Sequence, residues 1–445
     1  MYLLFTARLH ARHTNFRYAP GVIGAILAVA FCATASAAEA PLTLGQAQTL
    51  AVARSRQLAA QDLAVLSSRE MAVVAGQLPD PVLKLGIDNL PASGSDRLSL
   101  TSDSMTMRRV GVMQEITRAD KRQARASHYD RAAEKSVAEK AIAIAAIQRD
   151  TALAWLDRYY AEQMATAIVE QAAQARLEIA AAEGAYRAGR GSQADIFAAR
   201  SAAGLIDDRY SEAQRRVRNA KTMLARWIGT AADDPLVGQP QVEAIRLDPA
   251  TLDMELGHHP QIGVLNKQIE IAEADAKLAQ ADKSADWSVE LAYQQRGPDY
   301  GNMISIGVSI PLQWDQKNRQ DRELSAKLAM VEQAKAERDE MLRAHVAETR
   351  TMIAEWENDR ERSARYEGEL IPLAKQRTEA MVGAYRGNKA SLADLLAARR
   401  NEIDVRIQAL QLQAETARLW AQLNFSFPLD AAGTHTLATE HKDAQ

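Results

Sequence analysis

Apolar residues recur at alternating spacings of four and three residues over two long parts of the chain. The stripe near the C-terminal end consists of Ile403, Ile407, Leu410, Ala414, Ala417 and Ala421. A similar stripe begins at Leu153. This spacing predicts α-helices that pack along a coiled-coil seam, where alanine allows two helix axes to approach closely. Because each such helix buries little area per residue, we expect it to need partners along its whole length.

Proline and glycine are absent from residues 112–183 and again from residues 312–367. At about 1.5 Å per residue, a helix over residues 118–187 would be roughly 100 Å long. That length exceeds the usual range of globular helices and favours a coiled coil or an extended bundle.

Two pairs of short stretches alternate apolar and polar residues with period two. They are residues 82–88 with 104–116, and residues 286–296 with 302–313. Strands of about ten residues with one apolar face are typical of membrane β-barrels, although an ordinary half-buried hairpin has the same pattern. In the first pair, Arg108 and Arg109 interrupt the alternation. Four strands cannot close a barrel in lipid, so strands that enter a membrane would require several chains to share one barrel.

One phrase occurs twice, as GAYRAGRGSQADIFAAR from Gly184 and GAYRGNKASLADLLAAR from Gly383, with ten of seventeen residues identical. Ser192 and Ser391 are predicted to cap helices, with an acid three residues later to complete a capping box. Both phrases therefore predict tips of helical hairpins. The alternative is that they are turns with no further role.

Glycine supplies the reversal of the chain in this prediction. In the first copy we assign it to Gly189 and Gly191, and in the second copy to Gly387 together with Asn388.

The N-terminal residues have the pattern of a secretory signal. Three arginines precede the apolar run GVIGAILAVAF, and Ala35 and Ala37 are placed for cleavage. An uncleaved anchor is the alternative. Cys32 is the only cysteine, and Phe31 before it argues against lipid attachment, although lipidation of Cys32 stays open. The mature chain would have no disulfide.

The formal net charge is −3, which does not favour a nucleic-acid partner. No phosphate-binding loop, zinc-type histidine cluster or nucleophile–base pair is present, so we predict no enzymatic activity and no cofactor. Met105, Met107 and Met113 alternate on a predicted strand, and we expect them to face lipid or protein. We interpret His258 and His259 as a solvated helix cap, and no metal site is predicted.

The predicted organisation has five parts. They are a signal peptide at 1–37, a first repeat at 38–230 with hairpin 82–116 and tip 184–195, a linker at 231–257, a second repeat at 258–427 with hairpin 286–313 and tip 383–394, and a polar tail at 428–445.

This order resembles the outer-membrane efflux protein family, whose type member is TolC. The duplicated tip phrase, the strand ends GVMQEI and GVSIPL, and helix starts near Lys121 and Asn318 carry the resemblance. It implies a mainly α fold with membrane β structure, in which long antiparallel coiled-coil helices form a periplasmic α-barrel. Three protomers would each contribute four strands to a twelve-stranded barrel in the outer membrane of a Gram-negative bacterium. The linker would lie in the equatorial region.

The resemblance also implies a function. The protein would be a homotrimeric channel-tunnel of a tripartite efflux system, passively conducting cargo from an inner-membrane pump of the resistance-nodulation-division type and a periplasmic adaptor. The segments PDPVLKLGIDNLP and MTMRRVGVMQEITRADKR are similar to members that export copper and silver, or cobalt, zinc and cadmium. Export of organic compounds or drugs is the alternative. A periplasmic coiled-coil scaffold would leave the four strands unexplained.

By the same resemblance, the helical tips would bind the adaptor. The matching positions are Tyr186, Arg187, Gly189, Ser192, Asp195, Tyr385, Arg386, Gly387, Ser391, Asp394 and Leu395. Asp394 would also form a periplasmic gate that attracts cations. A second acidic ring is not expected, because Ala397 stands three residues further on.

Overall fold

The computed structural model describes residues 41–429. The predicted signal peptide, including Cys32, and residues 430–445 of the predicted tail lie outside the described residues. Within residues 41–429, no helix combines the length and the apolar character needed to cross a bilayer.

The first repeat contains four helices and two strands. They are α1 (Leu44–Arg54), α2 (Arg56–Ala75), β1 (Val82–Asp88), β2 (Met107–Ile116), α3 (Ala119–Arg187) and α4 (Gln193–Ile228). A 3₁₀ turn follows at Gly229–Asp233. The second part contains α5 (Leu252–Gly257), α6 (Pro260–Ala281), β3 (Trp287–Gln295), β4 (Met303–Ser309), α7 (Gln320–Arg365), α8 (Ile371–Arg386) and α9 (Leu392–Asn424). The predicted mainly helical fold with four strands is confirmed.

Helix α3 has 69 residues and lies within one residue of the predicted range. The second long helical path also ends at its tip phrase, as predicted, but it extends beyond the stretch that lacks proline and glycine. A π turn at Tyr366–Leu370 joins α7 to α8, so the helical path passes through Gly368 and Pro372. Pro372 lacks the N–H that would close an α-helical turn on Gly368, and the wider π turn ends next to it.

The helices form a layer with α3 at its centre. Helices α2 and α4 pack on one side of α3, α6 and α9 pack on the other, and α7 and α8 lie beyond them. Burial falls off towards the margins: α3 buries 19 of 69 residues and α9 buries 12 of 33, whereas α4 buries 4 of 36 and α7 buries 5 of 46. The marginal helices therefore have exposed length that a neighbouring chain could cover.

The four strands form one antiparallel sheet in the order β1-β2-β3-β4. The two hairpins are joined because β2 pairs with β3, with Val110 opposite Tyr293. Leu85 lies opposite Val110, and Ile304 lies opposite Tyr293, so apolar side chains share one face across all four strands. This face is open to solvent in the single chain, where Ile304 and Ile306 are 72% and 75% exposed.

The opposite face of the sheet is polar and carries an ion-pair network. Lys84 of β1 lies 2.6 Å from Glu290 of β3. Arg109 of β2 lies 3.4 Å from Glu290 and 3.3 Å from Asp88. The expectation that Arg109 interrupts the alternation is therefore wrong, because Arg109 belongs to the polar face. Arg108 does fall on the apolar face, at the end of the sheet opposite Ile87.

The waist of the molecule is where the linker between the repeats packs on the long helices. Leu247, Leu252 and Leu256 join a core cluster with Ile353 and Trp356 of α7. Leu42 forms a bridge with Leu236, and its carbonyl accepts a hydrogen bond from the buried indole of Trp155 at 3.3 Å. Leu429 N donates to Gln148 at 2.9 Å. Both described ends of the chain are thus tied to the middle of α3.

A buried lysine holds the junction between the sheet and the helices. The Lys121 side chain, at the start of α3, is only 5% exposed and lies 2.9 Å from Asp286 and 3.2 Å from Asp282. Asp286 also accepts the backbone N–H of Arg118 at 2.9 Å. The start of α3, the end of α6 and the start of β3 are held together by this cluster.

We predict that Lys121→Met destabilises the protein by about 3 kcal/mol, because it leaves two carboxylates without their buried partner. The control is Lys283→Met, since the Lys283–Asp321 pair is about one-third exposed and should contribute under about 1 kcal/mol. The measurement is the midpoint of thermal unfolding in detergent. Equal midpoints for the two variants would contradict the prediction.

Candidate functional site: the helical tips

The two tips have the same backbone hydrogen bonds. At the end of α3, Arg190 N donates to Ala185 O at 2.9 Å, and at the end of α8 the equivalent Lys389 N donates to Ala384 O at 2.8 Å. In each case the amide reaches back five residues, which closes the last turn of the helix and satisfies a terminal carbonyl. The duplicated sequence thus builds a duplicated turn.

The reversal of the chain depends on one left-handed residue per tip. Gly189 has φ +69° and the equivalent Asn388 has φ +59°. Asparagine is one of the few other residues that adopts this conformation readily. Gly387 has φ −81°, which any residue adopts, so the prediction that Gly387 supplies the reversal is wrong. Gly191 does not have positive φ either, and Ala390 stands at its equivalent position.

Both predicted capping boxes are present. Asp195 Oδ2 accepts from Ser192 N at 2.7 Å, and Asp394 Oδ2 accepts from Ser391 N at 3.1 Å and from Ser391 Oγ at 2.7 Å. These hydrogen bonds from serine hold the pKa of both aspartates below the ordinary value of 3.8. Each carboxylate is therefore ionised at neutral pH and committed to the start of its own helix.

A small apolar core joins the tip of the first repeat to the tip of the second. It contains Ala182 of α3, Ala199 of α4, and Leu392 and Leu395 of α9. Leu395 is only 5% exposed, so it lies between the tips instead of on a surface that an adaptor could contact. Tyr385 is half-buried against the same core. The assignment of Leu395 to the adaptor-binding surface is therefore corrected.

The other predicted positions remain at the surface. Tyr186 is 49% exposed, and Asp195 is half-buried. The remaining exposed positions are Arg187, Gly189, Ser192, Arg386, Gly387, Ser391 and Asp394. The sequence interpretation did not include Arg190 and Lys389, which are exposed and equivalent. The sequence did indicate these two positions, because both copies of the repeated phrase have a positive charge there, as Arg190 in the first and Lys389 in the second.

Two ion pairs lie near the tips, one within a hairpin and one between the two hairpins. Arg200 lies 2.8 Å from Glu183, and the equivalent Arg399 lies 3.1 Å from Glu178. Burial raises the pKa of Glu178, and Arg399 acts in the opposite direction. The first pair links α4 to α3, whereas the second links α9 to α3 and so joins the two repeats.

Known proteins resemble this chain in sequence and in fold. No family model matches the chain. The chain is 24% identical over 391 residues to the cobalt-zinc-cadmium resistance protein CzcC of Cupriavidus metallidurans, over 85% of this chain and 88% of CzcC. The solved outer-membrane channel OprN matches with a TM-score of 0.70 and 16% identity, over 86% of this chain and 89% of OprN. The outer membrane protein VceC of Vibrio cholerae matches with a TM-score of 0.68 and 17% identity, over 86% and 96%.

The fold is that of the TolC-like outer-membrane efflux family. The resemblance inferred from the duplicated tips and the strand ends is thereby confirmed. The proteins named above are a resistance protein, a channel and an outer-membrane protein instead of enzymes, in agreement with the prediction of no enzymatic activity.

In this TolC-like chain, the histidine pair lies at the waist, far from the tips. His258 is exposed and His259 is half-buried, so only His258 fits the expectation of a solvated residue. His259 Nδ1 accepts from Gln261 N at 3.2 Å and thereby caps α6. Its ring lies 4.8 Å from that of His345. Both rings line a cavity of about 500 Å³ that also includes Arg149, Asp150 and Glu348.

Among residues 41–429, no group of three or more His, Cys, Asp or Glu side chains could hold a metal ion. Met107 and Met113 have the same strand parity as Arg109, so they belong to the polar face of the sheet. The expectation that they face lipid or protein stays a prediction.

We predict that His259 makes stability depend on pH. Burial, and secondly His345, lowers the pKa of His259 from 6.5 to about 4. As the pH falls from about 6.5 to about 4, His259 is protonated in the unfolded chain but stays neutral in the folded chain. The free energy of unfolding should therefore decrease by about 2 kcal/mol. His259→Asn should remove this loss and keep the cap, and His258→Asn should not. Denaturant midpoints at pH 7 and 4.5 measure it, and an equal effect of both variants would refute it.

We predict that Gly189→Ala destabilises the first tip by about 1 kcal/mol, because alanine strains a left-handed backbone. No atom lies within 4 Å of the added Cβ, so the effect is conformational alone. Gly387→Ala is the control and should have little effect. Hydrogen exchange of the tip amides is the measurement. Faster exchange in Gly387→Ala than in Gly189→Ala would contradict the assignment of the turn.

Proposed function

We propose that three copies of this chain form an outer-membrane exit duct of a tripartite efflux system. Each copy would contribute its four-stranded sheet to a closed barrel in the outer membrane, and the helices would continue as a tunnel through the periplasm. The sheet is the observation that carries this proposal, because it combines one continuous apolar face with two strands, β1 and β4, that are paired on one side only.

The edge strands β1 and β4 have backbone groups without a partner in the single chain, and these groups are the reason for proposing several copies. An unpaired N–H or C=O costs several kcal/mol in hydrocarbon, so a sheet in lipid must close on itself or on its copies. Because the order within one chain is β1-β2-β3-β4 with every pair antiparallel, strand β4 of one copy would be antiparallel to β1 of the next. Three copies would give twelve strands, which is within the range of natural barrels.

The apolar face argues against the periplasmic scaffold. Leu85 of β1, Leu291 of β3 and Ile306 of β4 are each more than half exposed and lie on the same face of the sheet. A soluble protein rarely presents such a patch to water. In a membrane barrel, the same face would contact lipid, and the polar face with Lys84, Arg109 and Glu290 would line the aqueous pore.

The duct would conduct passively and depend on partners for energy. We propose that the exposed tip positions meet a periplasmic adaptor, which connects the duct to an inner-membrane pump of the resistance-nodulation-division type. Asp394 is the proposed gate residue. The hydrogen bond from Ser391 holds its carboxylate at the start of α9, next to the turn of the hairpin.

The proposed cargo is a heavy-metal cation. The name of CzcC concerns resistance to cobalt, zinc and cadmium, and the likeness extends over 85% of the present chain. Copper and silver cations are included among the proposed cargoes. Organic compounds are the alternative cargo, and the experiment must distinguish them from metal cations.

We predict that deletion of the gene lowers tolerance of cobalt, zinc, cadmium, copper or silver salts several-fold, and leaves tolerance of detergents and dyes unchanged. Growth at graded concentrations is the measurement, with the intact gene on a plasmid to restore tolerance. Loss of tolerance to the organic compounds alone would favour that alternative cargo. Unchanged tolerance to every compound would contradict the efflux proposal.

A pair of neighbouring variants tests the membrane assignment. Ile306→Asp places a charge on the lipid face and should reduce trimers in the outer membrane, whereas Ser305→Asp places it on the polar face one residue away and should not. Cross-linking of outer-membrane fractions gives the trimer yield. Full trimer yield from Ile306→Asp, or recovery of the intact protein in the soluble periplasm, would contradict a barrel.

A further inference from the structure

We propose that Arg108 binds the phosphate of a lipid headgroup at the rim of the apolar face of the sheet. The inference rests on the proposed function, because it requires that face to contact lipid. It names the cation, the chemistry of its ligand, and the boundary between hydrocarbon and headgroups at the end of the sheet that lies away from the helices.

Arg108 is an exception on its own face of the sheet. It lies opposite Ile87 of β1 and Gln295 of β3, and Val110 and Tyr293 follow on the same face. Among the paired positions that the structure describes on this face, Arg108 is the only charged residue. The others are apolar or aromatic, apart from two glutamines. A cation at this position therefore needs an explanation that the apolar surface does not supply.

The chain does not neutralise Arg108. The adjacent Arg109 lies on the polar face, where it pairs with Asp88 and Glu290. Among the described residues, Arg108 forms no ion pair. Its Nη2 donates to the carbonyl of Arg296 at 3.5 Å, and its Nε is buried without a hydrogen-bond partner. The guanidinium therefore has charge and donor capacity that this chain leaves unused.

The lack of an acidic partner alone would not identify a site, as Arg97 demonstrates. Arg97 lies in the connection between β1 and β2, at the same end of the sheet, where it is exposed and likewise forms no ion pair with a described residue. The position on the apolar face is what distinguishes Arg108. A neighbouring copy would not supply an acid through its edge strand either, because β4 (Met303–Ser309) contains no aspartate or glutamate.

The height of Arg108 on the sheet fits the boundary of a bilayer. Helix α3 follows β2 just after Ile116, and Arg108 lies near the other end of this 10-residue strand. Trp287 lies opposite Ile116 and so marks the helix end of the same face. The two levels are about 27 Å apart along the strand, or roughly 20 Å in depth at a tilt of about 40°. The apolar band of outer-membrane barrels is about 25 Å tall, so Trp287 and Arg108 would lie near its two boundaries.

Phosphate is the anion that this boundary offers. In the proposed orientation, the end of the sheet away from the helices faces the outer leaflet, where the lipid of Gram-negative bacteria is lipid A, a glycolipid with a phosphorylated headgroup. A guanidinium donates two parallel hydrogen bonds to a phosphate, and cations at the membrane surface attract anionic headgroups. The acyl chains would lie on Val110 and Leu85, and the ring of Tyr293 suits the region between them and the headgroup.

The binding experiment uses the purified full-length protein in an uncharged detergent. Its two lipid probes are lipid A and the same lipid A after a phosphatase has removed the phosphates, so the acyl chains are identical. Native mass spectrometry counts the bound lipid. We expect the phosphorylated form to bind roughly tenfold more tightly. Equal affinity for the two forms would overturn the proposal.

Inorganic phosphate separates a lipid site from a site for a free anion. Because the acyl chains contribute to binding through the apolar face, millimolar inorganic phosphate should not displace lipid A. Displacement by inorganic phosphate would show that the lipid is not the ligand, and it would overturn the proposal.

Variants test whether Arg108 is the residue responsible. Arg108→Gln should lose the preference for phosphorylated lipid A, and Arg108→Lys should keep part of it, since the charge stays but the planar fork is lost. Arg97→Gln is the matched control, because it removes one exposed cation at the same end, and it should bind as the wild type does. Arg108→Leu, which suits the apolar face, replaces Arg108→Gln if that variant does not fold. An unchanged preference without Arg108, or an equal loss in Arg97→Gln, would refute the assignment.

Failure of this inference can be distinguished from failure of the proposed function. If trimers form and conduct in planar bilayers but do not distinguish the two lipids, the phosphate site fails and the duct stands. If deletion of the gene leaves metal tolerance unchanged while the lipid preference depends on Arg108, the cargo proposal fails and the phosphate site stands. Recovery of the intact protein in the soluble periplasm would end both, by a measurement that involves no added lipid.

Discussion

Every backbone N–H and C=O group that is removed from water needs a hydrogen-bond partner, and in the sheet of this protein pairing between strands supplies that partner. Strands β2 and β3 satisfy it internally, because each has a neighbour on both sides. Strands β1 and β4 satisfy it only in part. The long helices differ in a similar way in how many residues they bury. Helices α3 and α9 bury many residues, whereas α4 and α7 bury few and leave most of their side chains exposed. Sheet and helical layer therefore both end in margins that a further copy would complete.

Within the chain, three different interactions hold the long structure in register. The Lys121 cluster fixes the sheet to the helices. The waist fixes the middle, where Leu252 and Trp356 share a core with the linker between the repeats. The core around Leu392 and Leu395 fixes the tips. Between these points, smaller cores combine alanine with larger side chains, as Ala165, Ile168 and Ile403 do.

Local patterns predicted much of this fold. Helix α3 was predicted within one residue, because proline and glycine are absent from residues 112–183 and the duplicated phrase from Gly184 marks its end, and the capping boxes follow from serine and aspartate three residues apart. The errors have non-local causes. Burial of Leu395 depends on which hairpin packs against which, and placement of Arg109 on the polar face depends on pairing between β2 and β3. The continuation of α7 through Gly368 and Pro372 depends on a π turn that no composition rule indicates. In the second tip, the prediction assigned the reversal to Gly387 together with Asn388, and only Asn388 has a left-handed backbone.

The attachment of Leu42 and Leu429 to the middle of α3 has a practical consequence. Gln148, which holds Leu429, lies 29 residues after the start of α3 and 39 before its end, or about 44 Å from the sheet and about 59 Å from the tips. A fluorophore attached at Pro41, the exposed neighbour of the buried Leu42, would mark the middle of α3 and leave the sheet and the tips free. Distances measured from such a marker would locate the sheet and the tips separately relative to the middle of the chain.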